Sequence, residues 1–278
     1  AKLSSTFRIY PTEKADFYVA TRQYDQAISV LEDVLDNPKR LAEQPHEQVL
    51  AMKKYLALMV RVRKEPTRAS ETISRYLKNG NPPYFVAQEA ESWLKSLRKW
   101  AGEKRKQPKA LQKAKELLAQ ASRAQAGAYQ AGYVENLRAT ALLHEALKDA
   151  KKPADKADIY RLLGDSYDIV SDLGMWDLPE AYYEACVRTA PKSKVAQGCY
   201  RNYERSIVMG FSGSAGVFIP AEERRKMSEL KDIAFVGAVK DLPPDVSAEG
   251  SKATPGEIPA TSALKPQGVV PPSDPSAP

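Results

Sequence analysis

The sequence predicts an all-α protein, and three observations support this fold class. Helix-favouring Ala, Leu, Lys and Glu are abundant, whereas Gly accounts for only 14 of 278 residues. Prolines recur throughout residues 11–220. Most intervals between them carry apolar residues at spacings of three and four, which is the period of a helix with one buried face. These intervals predict about eleven helices.

The predicted helical domain covers residues 11–240 and follows a short extended segment, residues 1–10. Its N-terminal part has two stretches with similar spacing of small and large apolar residues, each ended by a proline. The first stretch contains Ala15, Tyr18, Ala27, Leu31, Val34 and Pro38. The second contains Leu56, Ala57, Val60, Ala69, Ile73, Tyr76 and Pro82. Residues 108–151 have one weak break and form either two long helices or one kinked helix.

A helical hairpin is the clearest element, between residues 156 and 209. Its motif consists of Leu163, Gly164, Tyr167, Tyr183, Cys186 and Pro191. Glycine lets two helices approach closely, large side chains fill the seam between them, and proline ends the second helix. The second helix is predicted to begin at Pro179.

These motifs resemble the tetratricopeptide repeat (TPR) family over residues 11–82 and 156–209, although Pro179 stands where that family usually has alanine. The resemblance implies an α-solenoid of antiparallel helical hairpins, whose first helices line a concave groove. In this chain the groove would include Tyr18, Val60 and Tyr167. It would hold a peptide or another protein.

The segment after the hairpin contains a glycine-rich loop, residues 210–216. This loop lacks the closing glycine of a nucleophile elbow and the lysine of a phosphate loop, and it follows a helix rather than a strand. We therefore predict a flexible connection. The apolar residues 217–220 that follow either staple the last helix or contact a neighbouring subunit.

The composition changes at Asp241, because nine of the 20 prolines and no aromatic residue lie in residues 241–278. Such a segment cannot form a core and is predicted to be extended or flexible. Its sparse apolar residues are candidate partner contacts, and they are Ile258, Leu264, Val269 and Val270. The alternative is a solvated tail with no specific role.

The chain has two cysteines, Cys186 and Cys199, in consecutive predicted helices. Adjacent helices can bring such positions within the roughly 6 Å between α-carbons that a disulfide requires. A disulfide favours the periplasm or the exterior, and a chain that begins with Ala1 is expected after removal of a leader. Two reduced, buried cysteines in a cytoplasmic protein are the alternative, and a chain trimmed at this point would look the same.

Positive charge is concentrated in residues 95–115, where nine basic residues oppose only Glu103, in a chain with a net charge of +7. These residues are Lys95, Arg98, Lys99, Lys104, Arg105, Lys106, Lys109, Lys113 and Lys115. A surface of this kind attracts acidic protein, anionic lipid head groups or nucleic acid, and a solvated helix face is the alternative. Trp93 and Trp100 share a helix face and are predicted to pack into the core rather than to stack on bases.

The sequence offers little catalytic chemistry. Its two histidines, His46 and His144, are far apart and lie in ordinary helical contexts. No metal-ligand spacing or cofactor motif is present, so no metal, cofactor or small-molecule substrate is predicted. No apolar run approaches the length that a membrane-spanning helix needs.

The sequence therefore predicts a non-enzymatic scaffold subunit of a multiprotein assembly, in the bacterial periplasm or envelope, with partly acidic protein partners. The alternative is binding to nucleic acid or an anionic surface through residues 95–115. An α-superhelical cell-wall lyase is disfavoured because no isolated catalytic carboxylate is evident.

Overall fold

A computed structural model describes residues 10–38, 44–80, 82–103, 109–125, 131–170, 178–214 and 216–235. Within these ranges the chain is almost entirely helical, which confirms the predicted all-α class. The chain divides into two units, Ala1–Val239 and Lys240–Pro278. The second unit lies outside the described residues, as do residues 1–9 of the predicted N-terminal segment.

The described ranges contain eleven α-helices. They are α1 (Pro11–Ala20), α2 (Tyr24–Asp36), α3 (Pro45–Leu58), α4 (Pro66–Gly80), α5 (Tyr84–Ala101), α6 (Ala110–Gln125), α7 (Tyr133–Asp149), α8 (Pro153–Ile169), α9 (Leu178–Thr189), α10 (Lys194–Gly210) and α11 (Ala221–Phe235). Residues 108–151 thus contain two helices rather than one kinked helix. Four of these helices begin at a proline: Pro11, Pro45, Pro66 and Pro153. Proline suits the first helical position, because the backbone N–H that it lacks would have no partner in the first turn.

Two clusters of buried apolar side chains join the helices. The larger cluster extends from α1 to α8, and the smaller one joins α9, α10 and α11 to Ala157 of α8. Helix α7 lies inside the larger cluster, since it packs against α5, α6 and α8 and every residue from 131 to 140 is buried. The polar residues Glu135, Asn136, Arg138 and Thr140 are therefore buried with it.

Helices α8 and α9 approach closely at Gly164. A Cβ atom added to Gly164 would lie 2.4 Å from Cε1 of Tyr183, well inside the normal contact distance of two carbon atoms. The Tyr183 hydroxyl donates a hydrogen bond to Oδ1 of Asp165 at 3.1 Å, which fixes the ring over the glycine. The close approach predicted at Gly164 is confirmed, and α9 begins one residue before the predicted Pro179.

Cys186 of α9 and Cys199 of α10 are brought together as predicted. Their sulfur atoms are 2.03 Å apart and their α-carbons 6.3 Å apart. Both residues are fully buried in the smaller cluster. The pair therefore lies at disulfide distance across the seam between two adjacent helices.

Helix α3 continues directly into a π-helical segment (Met59–Arg63). Lys64 ends the segment in the left-handed conformation, with φ 57°, and the N–H of Glu65 donates to the carbonyl oxygen of Met59 at 3.2 Å. No residue pattern predicted this segment. Single π-helical turns occur frequently at functional sites, and this one carries Arg61 and Val62 to the edge of a groove.

The glycine-rich loop contains a short antiparallel ladder, β1 (Ser212–Gly213) and β2 (Gly216–Val217). The N–H of Phe218 donates to the carbonyl oxygen of Phe211 at 3.1 Å, which extends the ladder by one bond. The connection between α10 and α11 thus contains a short hairpin, and its predicted flexibility stays a prediction. Its side chains are largely exposed.

Candidate functional site

A groove of about 460 Å³ opens between the N-terminal helices and α7. Its walls come from α1, α2, α3, the π-helical segment and α7. The floor is apolar and consists mainly of Ala15, Leu31, Ala57, Leu58 and Ala141. Val19 and Val62 add apolar surface that is 38% and 42% exposed. This composition suits the apolar side chains of a bound segment.

The rim of the groove is charged and has more bases than acids. Lys54 pairs with Asp16, and Lys64 pairs with Glu145 at 2.8 Å. Arg61 and Lys148 add two further positive charges to the lining. The lining therefore contains four basic and two acidic side chains, and each of the two acids is paired with a lysine.

Arg61 is held at the back of the groove by buried aromatic side chains. Its Nη2 donates to the hydroxyl oxygen of Tyr167 at 2.6 Å, and Nε2 of His144 lies 2.9 Å from the same oxygen. The Tyr182 ring stacks on that of Tyr167, with centroids 5.3 Å apart and planes at 10°. The guanidinium group is thus oriented by residues from three other helices.

The histidine in this network is uncharged near neutral pH. Burial lowers the pKa of His144, and the positive charges of Arg61 and Lys148 lower it further. Burial raises the pKa of Tyr167, so its hydroxyl stays protonated. Because Tyr167 is only 2% exposed, its hydroxyl cannot reach a ligand in the groove, and the network serves to position Arg61.

Two of the three groove residues named from the TPR resemblance are buried. Val60 is 1% and Tyr167 2% exposed, so both are core residues rather than contact residues. Tyr18 is half-buried beside the larger cluster. The surface-accessible wall comes instead from the neighbouring Arg61 and Val62, because the π-helical turn places them on the groove side.

The predicted basic surface of residues 95–115 is only partly available. Lys95, Arg98, Lys99 and Lys109 are exposed. Lys113 pairs with Glu103 at 3.2 Å, and the exposed Lys115 pairs with Asp158 at 2.8 Å. A carboxylate of this chain therefore offsets part of each charge, and partner binding through these two lysines stays a prediction. Lys104, Arg105 and Lys106 lie outside the described residues.

Glu103, the one acidic residue of this segment, pairs with Arg138 of α7 as well as with Lys113. Arg138 donates to both of its carboxylate oxygens, at 3.0 and 2.8 Å, and lies over the Trp100 ring at 4.4 Å. Burial alone would raise the pKa of Glu103, but hydrogen bonds from Arg138 and Lys113 lower it below its usual value. Trp93 is buried as predicted, whereas Trp100 is only partly buried, beneath Arg138.

A second exposed surface is formed by the end of α10 and the hairpin that follows it. Four of its apolar side chains are exposed, and they are Met209 (70%), Phe211 (37%), Val217 (56%) and Phe218 (80%). Exposed apolar clusters of this kind are typical of contact sites for other macromolecules.

The candidate partner contacts in the tail lie outside the described residues. They are Ile258, Leu264, Val269 and Val270.

The described part of the chain contains no group of three or more His, Cys, Asp or Glu side chains that could hold a metal ion. His46 is exposed on α3, and His144 lines the groove beside the Tyr167 hydroxyl. Among the helices described here, none is long and apolar enough to cross a membrane.

Comparison of the chain with protein-family models, with curated proteins and with solved structures finds no match.

Proposed function

We propose that this chain is a non-enzymatic scaffold subunit that binds an acidic segment of a partner protein in the groove between α1, the π-helical segment and α7. The observation that carries the proposal is the combination of an apolar floor with a rim of four basic and two acidic side chains. Apolar side chains of the segment would bury against the floor. Its carboxylates would be attracted by the rim.

The orientation of Arg61 supports the same function. A guanidinium group presents donors in a rigid fork that matches a carboxylate. Because Arg61 is already held by Tyr167, ordering it on binding costs less side-chain entropy than ordering an unrestrained arginine. Lys148 lies on the opposite wall, in α7, and increases the local positive potential.

We further propose a TPR-like solenoid of helical hairpins as the architecture of residues 11–240. The close packing of α8 on α9 at Gly164 and the packing of most other consecutive helices against each other support it. The cysteine pair at disulfide distance supports a periplasmic or secreted location, with a cytoplasmic one as the alternative.

Photo-crosslinking in the native compartment tests the groove directly. A crosslinking amino acid is placed at Val19 or Val62 in the groove, and at the exposed Ser228 of α11 as a control. We expect the same partner protein to be captured from both groove positions and not from Ser228. Capture from all three positions alike, or from Ser228 alone, would contradict the proposal.

Binding to nucleic acid or an anionic surface through residues 95–115 is the second candidate. A shallow notch between α4 and α5 is surrounded by three basic residues, Lys78, Lys95 and Arg98. The first turn of α5 exposes two aromatic side chains, Tyr84 and Phe85. A helix with bases and exposed aromatics is one feature of nucleic-acid surfaces. The test is binding to duplex DNA or to anionic vesicles at several salt concentrations. Salt-dependent binding would favour this candidate if it is lost when Lys95, Arg98 and Lys99 are replaced by glutamine.

A further inference from the structure

The end of α10 and the hairpin after it carry no charge. Residues 206–221 lack Asp, Glu, Lys, Arg and His, and no other stretch of the sequence is as long without one. Both strands of the hairpin are exposed at every residue. A Cβ atom added to Gly213 or Gly216 would meet nothing within 4 Å. The hairpin therefore leaves room for a second molecule beside its backbone.

The register of the ladder leaves the outer edge of β2 free to pair. Ser212 lies opposite Val217, and the next pair is joined by the bond from the Phe218 N–H to the Phe211 carbonyl oxygen. Bonded and non-bonded pairs alternate in an antiparallel ladder, so the N–H and carbonyl groups of Val217 point away from β1. Among the described residues, no group outside the ladder bonds to them.

Ile219 continues the same edge. It precedes Pro220, and the residue before a proline is held in extended backbone. Its N–H and carbonyl groups therefore point to the same side as those of Val217, two residues earlier. Proteins usually block an exposed edge of this kind with charged side chains or a proline. This edge has no charge, and its one proline stands at its end.

The charges around the hairpin indicate which kind of partner fits. Residues 204–210 of α10 contain one acid and one base, and residues 221–227 of α11 contain two acids and three bases. Asp168 and Glu180, from α8 and α9, add two further acids beside α10. Such a mixed rim gives a polyanion or a polycation no clear electrostatic advantage. A second copy of the chain carries the same mixture, so the acids of one copy can face the bases of the other.

We propose that two copies of the chain associate through residues 216–219, which pair antiparallel across a twofold axis. Val217 of each copy then exchanges backbone hydrogen bonds with Ile219 of the other. The axis passes through Phe218, so the two Phe218 rings lie opposite each other as a cross-strand aromatic pair. This contact buries a side chain that is 80% exposed in the single chain. An isologous contact of this kind is the commonest type among homo-oligomers.

The size of the surface sets the expected strength of the dimer. Met209, Phe211, Val217 and Phe218 together expose about 500 Å² per copy, or about 1,000 Å² for the pair, which is the lower limit of a specific interface. We therefore expect a weak dimer, with a Kd on the order of 10 µM. The proposal goes beyond the scaffold function and does not depend on it, since the hairpin and the groove share no residue.

Sedimentation equilibrium of the purified full chain, from about 1 to 500 µM, tests the association. The mean mass should rise from that of one chain towards that of two. Phe218→Ser should weaken the association at least about tenfold, because it removes the aromatic pair. Tyr84→Ser is the matched control, since Tyr84 is an equally exposed aromatic residue on α5 and should not affect the association.

A second pair of variants tests the strand edge. Val217→Pro removes the outward N–H, which the hairpin itself does not use, and should weaken the association at least about tenfold. Val217→Thr keeps this N–H and a β-branched side chain, and should associate like the wild type. Far-UV circular dichroism checks that each variant keeps its helices.

Photo-crosslinking of the purified chain locates the contact. An aromatic crosslinking amino acid at Phe218 should join two copies of the chain. Trypsin cleaves after Arg205 and Arg224, so the expected product is the peptide 206–224 linked to a second copy of itself. The same amino acid at Tyr84 should give no such product.

Three results would overturn the proposal. The first is the mass of a single chain at all concentrations up to about 500 µM. The second is a dimer that Phe218→Ser does not weaken, or whose crosslink from Phe218 leads to another element. The third is a monomeric chain whose hairpin captures a different protein, or binds lipid vesicles, in a manner that Phe218→Ser abolishes. Should Val217→Pro fail to fold, Phe218→Ser and the crosslink decide.

Discussion

Replacing Gly164 with alanine should destabilise the protein, although alanine is the better helix former. The added Cβ would lie 2.4 and 2.6 Å from two ring carbons of Tyr183, where carbon atoms normally stay about 3.5–4.0 Å apart. Tyr183 is 1% exposed and hydrogen-bonded to Asp165, so its ring has little room to retreat. Helix α8 or α9 must therefore shift by about 1 Å to restore normal contact.

The magnitude follows from two opposing effects. Overpacking of this kind costs about 1–3 kcal/mol, and the higher helix propensity of alanine returns about 0.5–1 kcal/mol. We expect a net loss of up to about 2.5 kcal/mol in the free energy of unfolding, and a fall in Tm of up to about 10 °C. Urea denaturation and thermal unfolding measure the two quantities.

Gly198→Ala is the matched control. Gly198 lies in the interior of α10, and a Cβ atom there would meet nothing within 4 Å. This variant should therefore gain about 0.5–1 kcal/mol from helix propensity alone. Opposite signs for the two variants are the expected result, whereas equal stabilisation by both would refute the close approach of α8 and α9.

A double-mutant cycle identifies Tyr183 as the cause. Tyr183→Ala removes the ring and is destabilising by itself, because it leaves a cavity. In that background Gly164→Ala should cost nothing, since the obstructing atoms are gone. A cost that persists without the ring would mean that the strain arises elsewhere.

Three further predictions concern other parts of the chain. Protein from its native compartment should have a mass two hydrogens lower than the reduced chain. Breaking the Cys186–Cys199 bond should lower the free energy of unfolding by about 3 kcal/mol. Two alkylatable thiols in the native protein would contradict the predicted disulfide. Because the pKa of Glu103 is lowered in the folded state, its contribution to stability is present above its usual pKa and lost as pH falls. The free energy of unfolding should therefore fall more steeply between about pH 5 and pH 3 in the wild type than in Glu103→Gln. Parallel curves of the free energy of unfolding against pH for the two proteins would contradict this role of Glu103. Phe218→Ser should leave the free energy of unfolding within about 0.5 kcal/mol but weaken partner binding, and unchanged binding would exclude the hairpin as a contact.

The sequence predicted local features of the fold well. Helix starts follow from proline, whose fixed φ suits the first turn, and Pro45 and Pro153 illustrate this. The close packing at Gly164 and the meeting of Cys186 with Cys199 also follow from local spacing. In each case the information lies within one helical hairpin, so the pattern of the chain is sufficient.

The candidate site could not be predicted in the same way, because its residues come from distant parts of the chain. The groove joins Ala15 to Lys148, and only tertiary packing brings them together. The π-helical turn that presents Arg61 has no sequence signature that we recognise. Lys115 is exposed, but its pairing with Asp158, 43 residues later, could not be predicted from local spacing.

The burial of α7 shows the same limit. Its periodicity predicted a helix with one apolar face, yet residues 131–140 are buried on all sides. No pattern in the sequence marks Glu135 and Arg138 as buried, yet each is 7% exposed. Arg138 pairs with Glu103, 35 residues earlier, so its partner could not be predicted from local spacing.

The most direct test of the scaffold account is a binding titration of the partner captured from the groove, with charge reversal on the rim. The rim variant combines Lys64→Glu with Lys148→Glu and reverses two charges of the groove rim. The control variant combines Lys194→Glu with Arg224→Glu and makes the same net charge change at exposed positions outside the groove. The account predicts that the rim variant binds at least about tenfold more weakly, mainly through slower association, and that added salt reduces the difference. Equal affinities for the rim variant, the control variant and the wild type would contradict it.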